Sequence, residues 1–469
     1  MLNFWDSDIW SWLLLLAVLM GSLLVGNTLR RKIPFLRKSL IPTSVIGGGV
    51  LLIFASIYKA ISGEVMFDTS AFGYTGTENL EIITYHALAL GFIASSLKIS
   101  DRKLTGKRAT EIFNTGVTTV STYLLQGVVG LGITIIAALF ISGFFAGGGI
   151  LLPFGYGQGT GQAMNYGLMF ETENGFIGGT DFGLTIAALG FISSALGGVF
   201  HLNIKKARGK LKISSRKDGG DQNEAVDSPD EIPMQESVDK LTIQLSLIVV
   251  AYVIAYLFMF ILGELIPSMR STIYGFNFLL GVIGAMIVKS VLNLLRKSGL
   301  MRRQYTNNFL MTRTSNLFFD IMVVSGIAAI RLDSIESSWL VIIILGVVGA
   351  AITYGYLYFV CKKLFPEYVE EEFLMMYGML TGTACTGTIL LREIDGDFHT
   401  PAADNMVYQN LPAIVFGFPL MIIAKLAPTN PLLTLIILAA FFLLMNVILF
   451  RSFIFKKRKS KAKKEPALK

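Results

Sequence analysis

The sequence predicts an all-α polytopic membrane protein of about eleven transmembrane helices, arranged as two inverted five-helix repeats that each carry a re-entrant hairpin. Three observations lead there. Apolar runs recur along the whole chain, and many reach the roughly 20 residues a helix needs to cross ~30 Å of hydrocarbon. Lys and Arg cluster in every second connection, as loops that stay in the cytoplasm do. Two polar, glycine-rich stretches interrupt the apolar pattern at matching places in the two halves.

The bulk composition agrees. A chain of 469 residues with 53% hydrophobic and 15% charged side chains and a mean hydropathy of +0.61 is not a soluble enzyme. The net charge of +8 sits in connections and in the tail, where topology accounts for it, so no nucleic-acid partner is expected. Cys361 and Cys385 lie in different parts of the chain, which yields neither a disulfide framework nor a metal cluster. Asp6 and Asp8 precede the first apolar run and Arg30, Arg31 and Lys32 follow it. This is the reverse polarity of a cleavable signal peptide, and the first span is expected to stay.

Taken in order, the expected spans are 9–29, 41–61, 81–97, 110–143, 181–203, 241–263, 272–295, 311–331, 338–361, 404–427 and 430–452. Span one is followed by Arg30, Arg31, Lys32, Arg37 and Lys38, whereas 62–80 holds no Lys or Arg. The connection 98–108 is basic again, 109–204 has no Lys or Arg, and 205–217, 296–303 and the tail from Lys456 are basic. The alternation survives end to end only if 147–172 and 373–391 each enter and leave on one side, the first from outside and the second from the cytoplasm. The N-terminus is then outside and the C-terminus cytoplasmic, in a cell membrane.

Loops that approach the midplane from opposite faces are the mark of an inverted repeat. Ile93-Ala94 aligns with Ile327-Ala328, a register that pairs His86 with Asp320. The expected domains are a first repeat over 1–203 with re-entrant loop 147–172, a cytoplasmic linker over 204–240, an inverted second repeat over 241–427 with re-entrant loop 373–391, an extra C-terminal helix over 428–455, and a basic cytoplasmic tail over 456–469. The linker turns from basic to acidic and has the composition of a disordered segment.

Irregular backbone survives at membrane depth only where it is buried in protein or lines a wet cavity. Broken helices there offer N-termini that suit a carboxylate and unwound carbonyls that suit Na⁺. Substrate-binding candidates are Gly157, Gln158, Gly159, Thr160, Gly161 and Asn165 in the first stretch, and Gly382, Thr383, Thr386, Gly387 and Thr388 in the second. For Gly47–Gly49 and Gly197-Gly198 the expected role is helix packing, as small residues serve between membrane helices. The equipment reads as a secondary transporter of a small polar or anionic solute. A channel would use similar loops but not the inverted layout. An intramembrane enzyme would need a paired-acid, nucleophile–base or H-E-x-x-H arrangement, and none is present.

Gly157-Gln158-Gly159-Thr160-Gly161, with Arg37-Lys38-Ser39-Leu40-Ile41-Pro42 before span two and Leu90-Gly91-Phe92-Ile93-Ala94 in span three, resembles the glutamate:sodium symporter family over roughly 9–427. The resemblance implies a homodimer, five-span inverted halves with re-entrant loops, and Na⁺-coupled uptake of glutamate or a similar anionic amino acid, with Na⁺ as co-transported ion and no cofactor. The departures are Gln158, where the family usually has His; Ala384, where it has glycine; Arg392, where it has a neutral residue; and the eleventh span.

Asp181 opens span five, where the resemblance also places an acid. It reads either as a Na⁺ ligand or as a helix-start residue favoured by the dipole. Asp320, an intramembrane carboxylate, is a second candidate for ion or proton coupling, and His86 reads either as a proton carrier or as a side chain bonded to a neighbouring helix. Arg392 reads as a clamp for a substrate carboxylate or as a topology marker. Asn410, with Gln409, opens span ten beside Pro412 and is expected to line the cavity. His201 and His399 carry no metal-binding spacing.

Overall fold

The structure is a computed structural model that describes residues 7–98, 106–208, 239–301, 303–395 and 399–454. Its main helices, in chain order, are α1 (Ser7–Lys32), α2 (Thr43–Ser62), α3 (Gly76–Ser96), α4 (Gly106–Phe140), α5 (Leu151–Gln158), α6 (Thr160–Asn174), α7 (Gly179–Ala207), α8 (Lys240–Leu265), α9 (Asn277–Lys297), α10 (Asn308–Ala328), α11 (Trp339–Leu364), α12 (Val369–Thr381), α13 (Ala384–Arg392), α14 (Ala402–Tyr408), α15 (Asn410–Ala424) and α16 (Pro431–Leu449). Among the described residues, eight helices are long and apolar enough to cross a membrane: α1, α2, α4, α7, α8, α9, α11 with the turn before it, and α16. On α16, Leu432, Leu433, Ile436, Leu443, Leu444 and Val447 are exposed, a surface suited to hydrocarbon rather than water. The chain is thus a multi-pass, all-helical membrane protein.

The expected spans 81–97 and 311–331 coincide with α3 and α10, which have the length but not the apolar content. Both spend their polar groups on contacts with neighbouring helices, described below. The expected span 404–427 is interrupted: α14 ends at Tyr408 and α15 begins at Asn410. Pro412 has no N–H to give the Tyr408 carbonyl, so the ladder cannot run through. Most of the linker expected over 204–240 lies outside the described residues, but α7 and α8 take in its two ends. The tail expected over 456–469 lies wholly outside them.

The chain forms two compact units, each discontinuous in sequence. Unit 1 takes residues 1–103, 160–169 and 215–334, and so holds α1, α2, α3, α8, α9, α10 and the first part of α6. Its core joins Ile93, Ala94 and Leu97 to Ile248, Ala251, Ala285, Val288 and Met311. Small residues bring the helices close: a Cβ on Gly48 would stand 2.8 Å from Ile327, and one on Gly91 2.8 Å from Phe319. Polar groups are satisfied across helices. Thr84 and Ser325 share a 2.8 Å hydrogen bond, Ser315 donates to the Gly91 carbonyl at 2.9 Å, and Tyr85 donates to the Tyr274 carbonyl at 2.7 Å. The His86 Nδ1 lies 2.7 Å from the Tyr252 hydroxyl, so the bonded reading of that histidine holds.

Unit 2 takes residues 104–159, 170–214 and 335–469. Its axis is the 35-residue α4, against which α5, α11, α15 and α16 pack. At the Gly130–Gly149 crossing a Cβ on either residue would overlap the other's backbone. The Thr134 hydroxyl donates to the Ala146 carbonyl at 2.7 Å and accepts from the Gly149 N–H at 3.1 Å.

The connection after α13 is pinned by Asp395, whose carboxylate accepts from the His399 N–H and the Thr400 N–H, both at 2.8 Å, and from the Thr400 hydroxyl at 2.6 Å. Partial burial pushes this carboxyl up, and the Thr400 and His399 donors more than offset that, holding it below the ordinary carboxylate range. A depressed native pKa stabilises the fold above the unfolded value of about 3.9, and the gain is lost as pH falls through the native value. Asp395→Asn, which loses the charge, is expected to cost about 1–2 kcal/mol, read as a fall in melting temperature at neutral pH that shrinks on acidification.

Candidate functional site

The first glycine-rich stretch is less irregular than expected. Residues 155–158 and 160–165 are helical, and the backbone breaks at one residue, Gly159, with φ +83° and ψ −171°. That region is essentially reserved for glycine. The other glycines serve packing. A Cβ on Gly155 would stand 2.7 Å from Ile186, and one on Gly157 would overlap the Tyr123 ring. The carbonyls that end α5 therefore lack helical partners. Tyr123 donates to the Gly157 carbonyl at 3.0 Å, and the Gln158 Oε1 is buried with no hydrogen-bond partner.

The second stretch repeats this plan within unit 2. The arms α12 and α13 cross at glycine, where a Cβ on Gly378 would stand 2.6 Å from the Gly387 Cα. The break falls at Gly382, and Thr383 caps α13: its hydroxyl accepts from the Thr386 N–H at 3.4 Å and lies 3.2 Å from the Thr386 hydroxyl. Thr386 is fully buried. The Thr388 hydroxyl is spent on the Ala384 carbonyl at 2.9 Å. Gln126 donates to the Leu380 carbonyl and to the Thr353 hydroxyl, both at 2.9 Å.

These apexes converge. A Cβ on Gly190 of α7 would stand 2.6 Å from the Thr381 carbonyl oxygen and 3.1 Å from the Tyr156 ring. The same Tyr156 donates to the Gly346 carbonyl at 2.6 Å and lies 2.9 Å from the Ser193 hydroxyl. Tyr123 and Gln126, three residues apart and so on one face of α4, each hold a carbonyl two residues before a break. Gln158 and Gly159 thus share unit 2 with Gly382, Thr383, Thr386 and Gly387, around two helix C-termini and one capped helix N-terminus.

Unit 1 holds the remainder of the first stretch. Thr160 is fully buried, donates to the Met322 carbonyl at 3.1 Å and packs on Gly326. Gly161 packs on Leu88. Asn165 donates to the Gln162 Oε1 at 3.0 Å, and the Gln162 Nε2 is buried without a partner. Asp320 is hydrogen-bonded to Ser44.

Three candidates stand off from the apex of unit 2. Asp181 is buried in the first turn of α7, nine residues before Gly190 and so about 13 Å away along the helix. Glu171 shares that terminus, accepting from the Gly178 N–H at 3.3 Å, the Thr180 N–H at 3.1 Å and the Thr180 hydroxyl at 2.8 Å. Arg392 is exposed at the opposite end of α13 from Thr383. Asn410 is half-buried, and its neighbour Gln409 makes the inward contacts: Thr119 donates to its Oε1 at 2.6 Å. Tyr123, Gln126 and Gln162 escaped the sequence reading. The only signal for the first two was a polar pair, three residues apart, in the uncharged stretch of α4 after Glu111.

A family model described as a sodium/glutamate symporter matches residues 10–368 and stops just short of α12. No curated protein matches the chain.

Proposed function

The chain belongs to the sodium/glutamate symporter family, and from that membership we propose that the apex of unit 2 is where glutamate and Na⁺ are held. The approach of Tyr156 and Thr381, three residues and one residue before the two breaks, to Gly190 carries this reading. The free N–H groups at the start of α13, beside Thr383 and Thr386, suit a substrate carboxylate. The carbonyls ending α5 and α12 and the unpartnered Gln158 Oε1 offer neutral oxygens to Na⁺ or to the substrate ammonium. Asp181 and Asp320 supply full charges in their own units and are the acids assigned to Na⁺. Thr160, Gly161 and Asn165 shape the start of α6, with Arg392 and Asn410 flanking the second hairpin.

The architecture proposed with this is eleven spans, the N-terminus outside, and two inverted five-helix repeats in a homodimer, with α5–α6 and α12–α13 as re-entrant hairpins. Each unit draws matching helices from both halves, which supports the repeat: α1–α3 with α8–α10 in unit 1, and α4–α7 with α11–α15 in unit 2, apart from the first part of α6. The hairpin-bearing bundle then moves against a dimeric scaffold.

The test is radiolabelled L-glutamate uptake into proteoliposomes with and without an inward Na⁺ gradient. Accumulation only with the gradient supports the coupling. Folded protein that accumulates nothing sinks it. Gln126→Leu, which frees the Leu380 carbonyl, is expected to lower uptake about tenfold, and an unchanged rate would remove the apex from the site. Asp181→Asn and Asp320→Asn sort the acids, because loss of a Na⁺ ligand raises the Na⁺ concentration required for half-maximal uptake.

A further inference from the structure

Glu372 lies in the first turn of α12 and is completely buried. Its Oε1 is 2.8 Å from the Thr115 hydroxyl, and its Oε2 accepts from the Asn405 amide at 3.1 Å. The Thr115 hydroxyl also lies 3.0 Å from the Glu111 carbonyl oxygen. A hydroxyl has one hydrogen. If Glu372 were ionised, Thr115 could satisfy either the carboxylate or the Glu111 carbonyl, and two oxygens would face each other with no proton between them. A neutral Glu372 removes the conflict: its O–H donates to Thr115, Thr115 donates to the Glu111 carbonyl, and Oε2 accepts from Asn405. Reversing the Asn405 amide would aim a carbonyl at Oε2 and would again require a proton on the acid. Burial without a paired cation favours the same neutral form.

The charged and titratable groups around it are Arg108 and Glu111 on α4, Cys361 on α11, Tyr368 before α12, and Glu370 and Glu371 on its own helix. A chain of polar contacts also runs from Glu372 toward the surface. Asn405 donates to the Tyr368 hydroxyl at 3.1 Å, Tyr368 is hydrogen-bonded to Glu111, and Glu111 pairs with Arg108, beside the well-exposed Lys107. At its other end α12 delivers the Leu380 and Thr381 carbonyls to the apex, about 12 Å from Glu372 along the helix.

We propose that Glu372 is a proton-binding site, occupied in this state, whose proton is bound and released as the carrier turns over, so that H⁺ joins glutamate and Na⁺ in the cycle. No covalent step is involved: the proton leaves the Glu372 carboxyl for water and returns to it from water. The coupling rests on the symport reading, whereas the protonated state does not.

Two measurements separate these parts. Infrared spectra of the purified, folded protein at neutral pH should show a protonated-carboxyl stretch that is missing in Glu372→Gln. Absence of that difference overturns the proposal. In proteoliposomes, Glu372→Gln keeps the hydrogen-bond pattern of the neutral acid but cannot release the proton. Glutamate exchange between preloaded vesicles and medium should stay within about twofold of wild type and lose its pH dependence, while net Na⁺-driven uptake falls about tenfold. Net uptake by Glu372→Gln at the wild-type rate and pH profile makes the proton structural and overturns the coupling. Wild-type vesicles that take up no glutamate yet show the infrared band would sink the substrate reading and support the protonated site.

Discussion

Gly159→Ala is expected to abolish most sodium-driven glutamate uptake. The backbone at Gly159 combines φ +83° with ψ −171°, which an L side chain occupies only with strain of about 1–3 kcal/mol. The alanine variant can relieve that strain by closing the break into a continuous helix. This would consume the free N–H groups that begin α6 and turn the end of α5, carrying Gln158 with it. Either outcome alters the apex, so uptake should fall about tenfold or more while the protein still folds. Gly143→Ala is the matched control. That residue also has positive φ, at +75°, but sits in the exposed turn after α4 with open space around it. It should lower the melting temperature slightly and leave uptake near wild type. Equal loss of uptake in both variants would trace the effect to strain in general.

The second large effect is expected at the start of α12, the first arm of the second glycine-rich stretch. His201 on α7 is fully buried, with Nδ1 2.7 Å from the Tyr354 hydroxyl and Nε2 2.5 Å from the Glu370 carboxylate. Lys205, one turn further along, pairs with the other oxygen of Glu370 and with the Tyr358 hydroxyl. Glu370→Gln would leave the Lys205 ammonium in a nearly closed aromatic cage without its counter-charge. Removing one partner of a buried ion pair costs about 3–5 kcal/mol. The Glu370 side chain keeps 19% of its exposure, which places the expected loss nearer ~2–3 kcal/mol. A lowered melting temperature, partly restored by the double variant Glu370→Gln with Lys205→Met, would confirm that the unpaired charge is the cause. A Glu370→Gln protein as stable as wild type would show that water reaches the cage.

Much of this architecture is legible in one sequence because hydrocarbon leaves few options. Spans such as Lys240–Leu265 and Pro431–Leu449 appear as apolar runs, and glycine density locates both helix breaks. Two kinds of feature escape. Local pattern does not distinguish a glycine that breaks a helix from one that lets helices touch: Gly159 breaks, whereas Gly155 and Gly157 pack. Partners distant in the chain leave no local mark either. Gln126 meets Leu380, and Thr115 meets Glu372, across more than two hundred residues of intervening chain. The split at Gln409 was announced by Pro412, but the apolar run that follows, 411–424, masked the signal.

The discontinuity of the two units bears on how the protein is made. A nascent chain that has emerged through residue 208 contains half of each unit and the whole of neither. In the bilayer, Gln126 still lacks Thr353 and Leu380, and Tyr156 still lacks Gly346. Those amide and phenol groups must wait among lipid or beside the insertion machinery until the second half arrives, at a cost of several kcal/mol for each unmet group. Synthesis therefore ends in a joint closing step, in which neither half serves as a finished template for the other. Slowing translation between the halves should expose the first half to quality-control proteolysis more than any pause after residue 450.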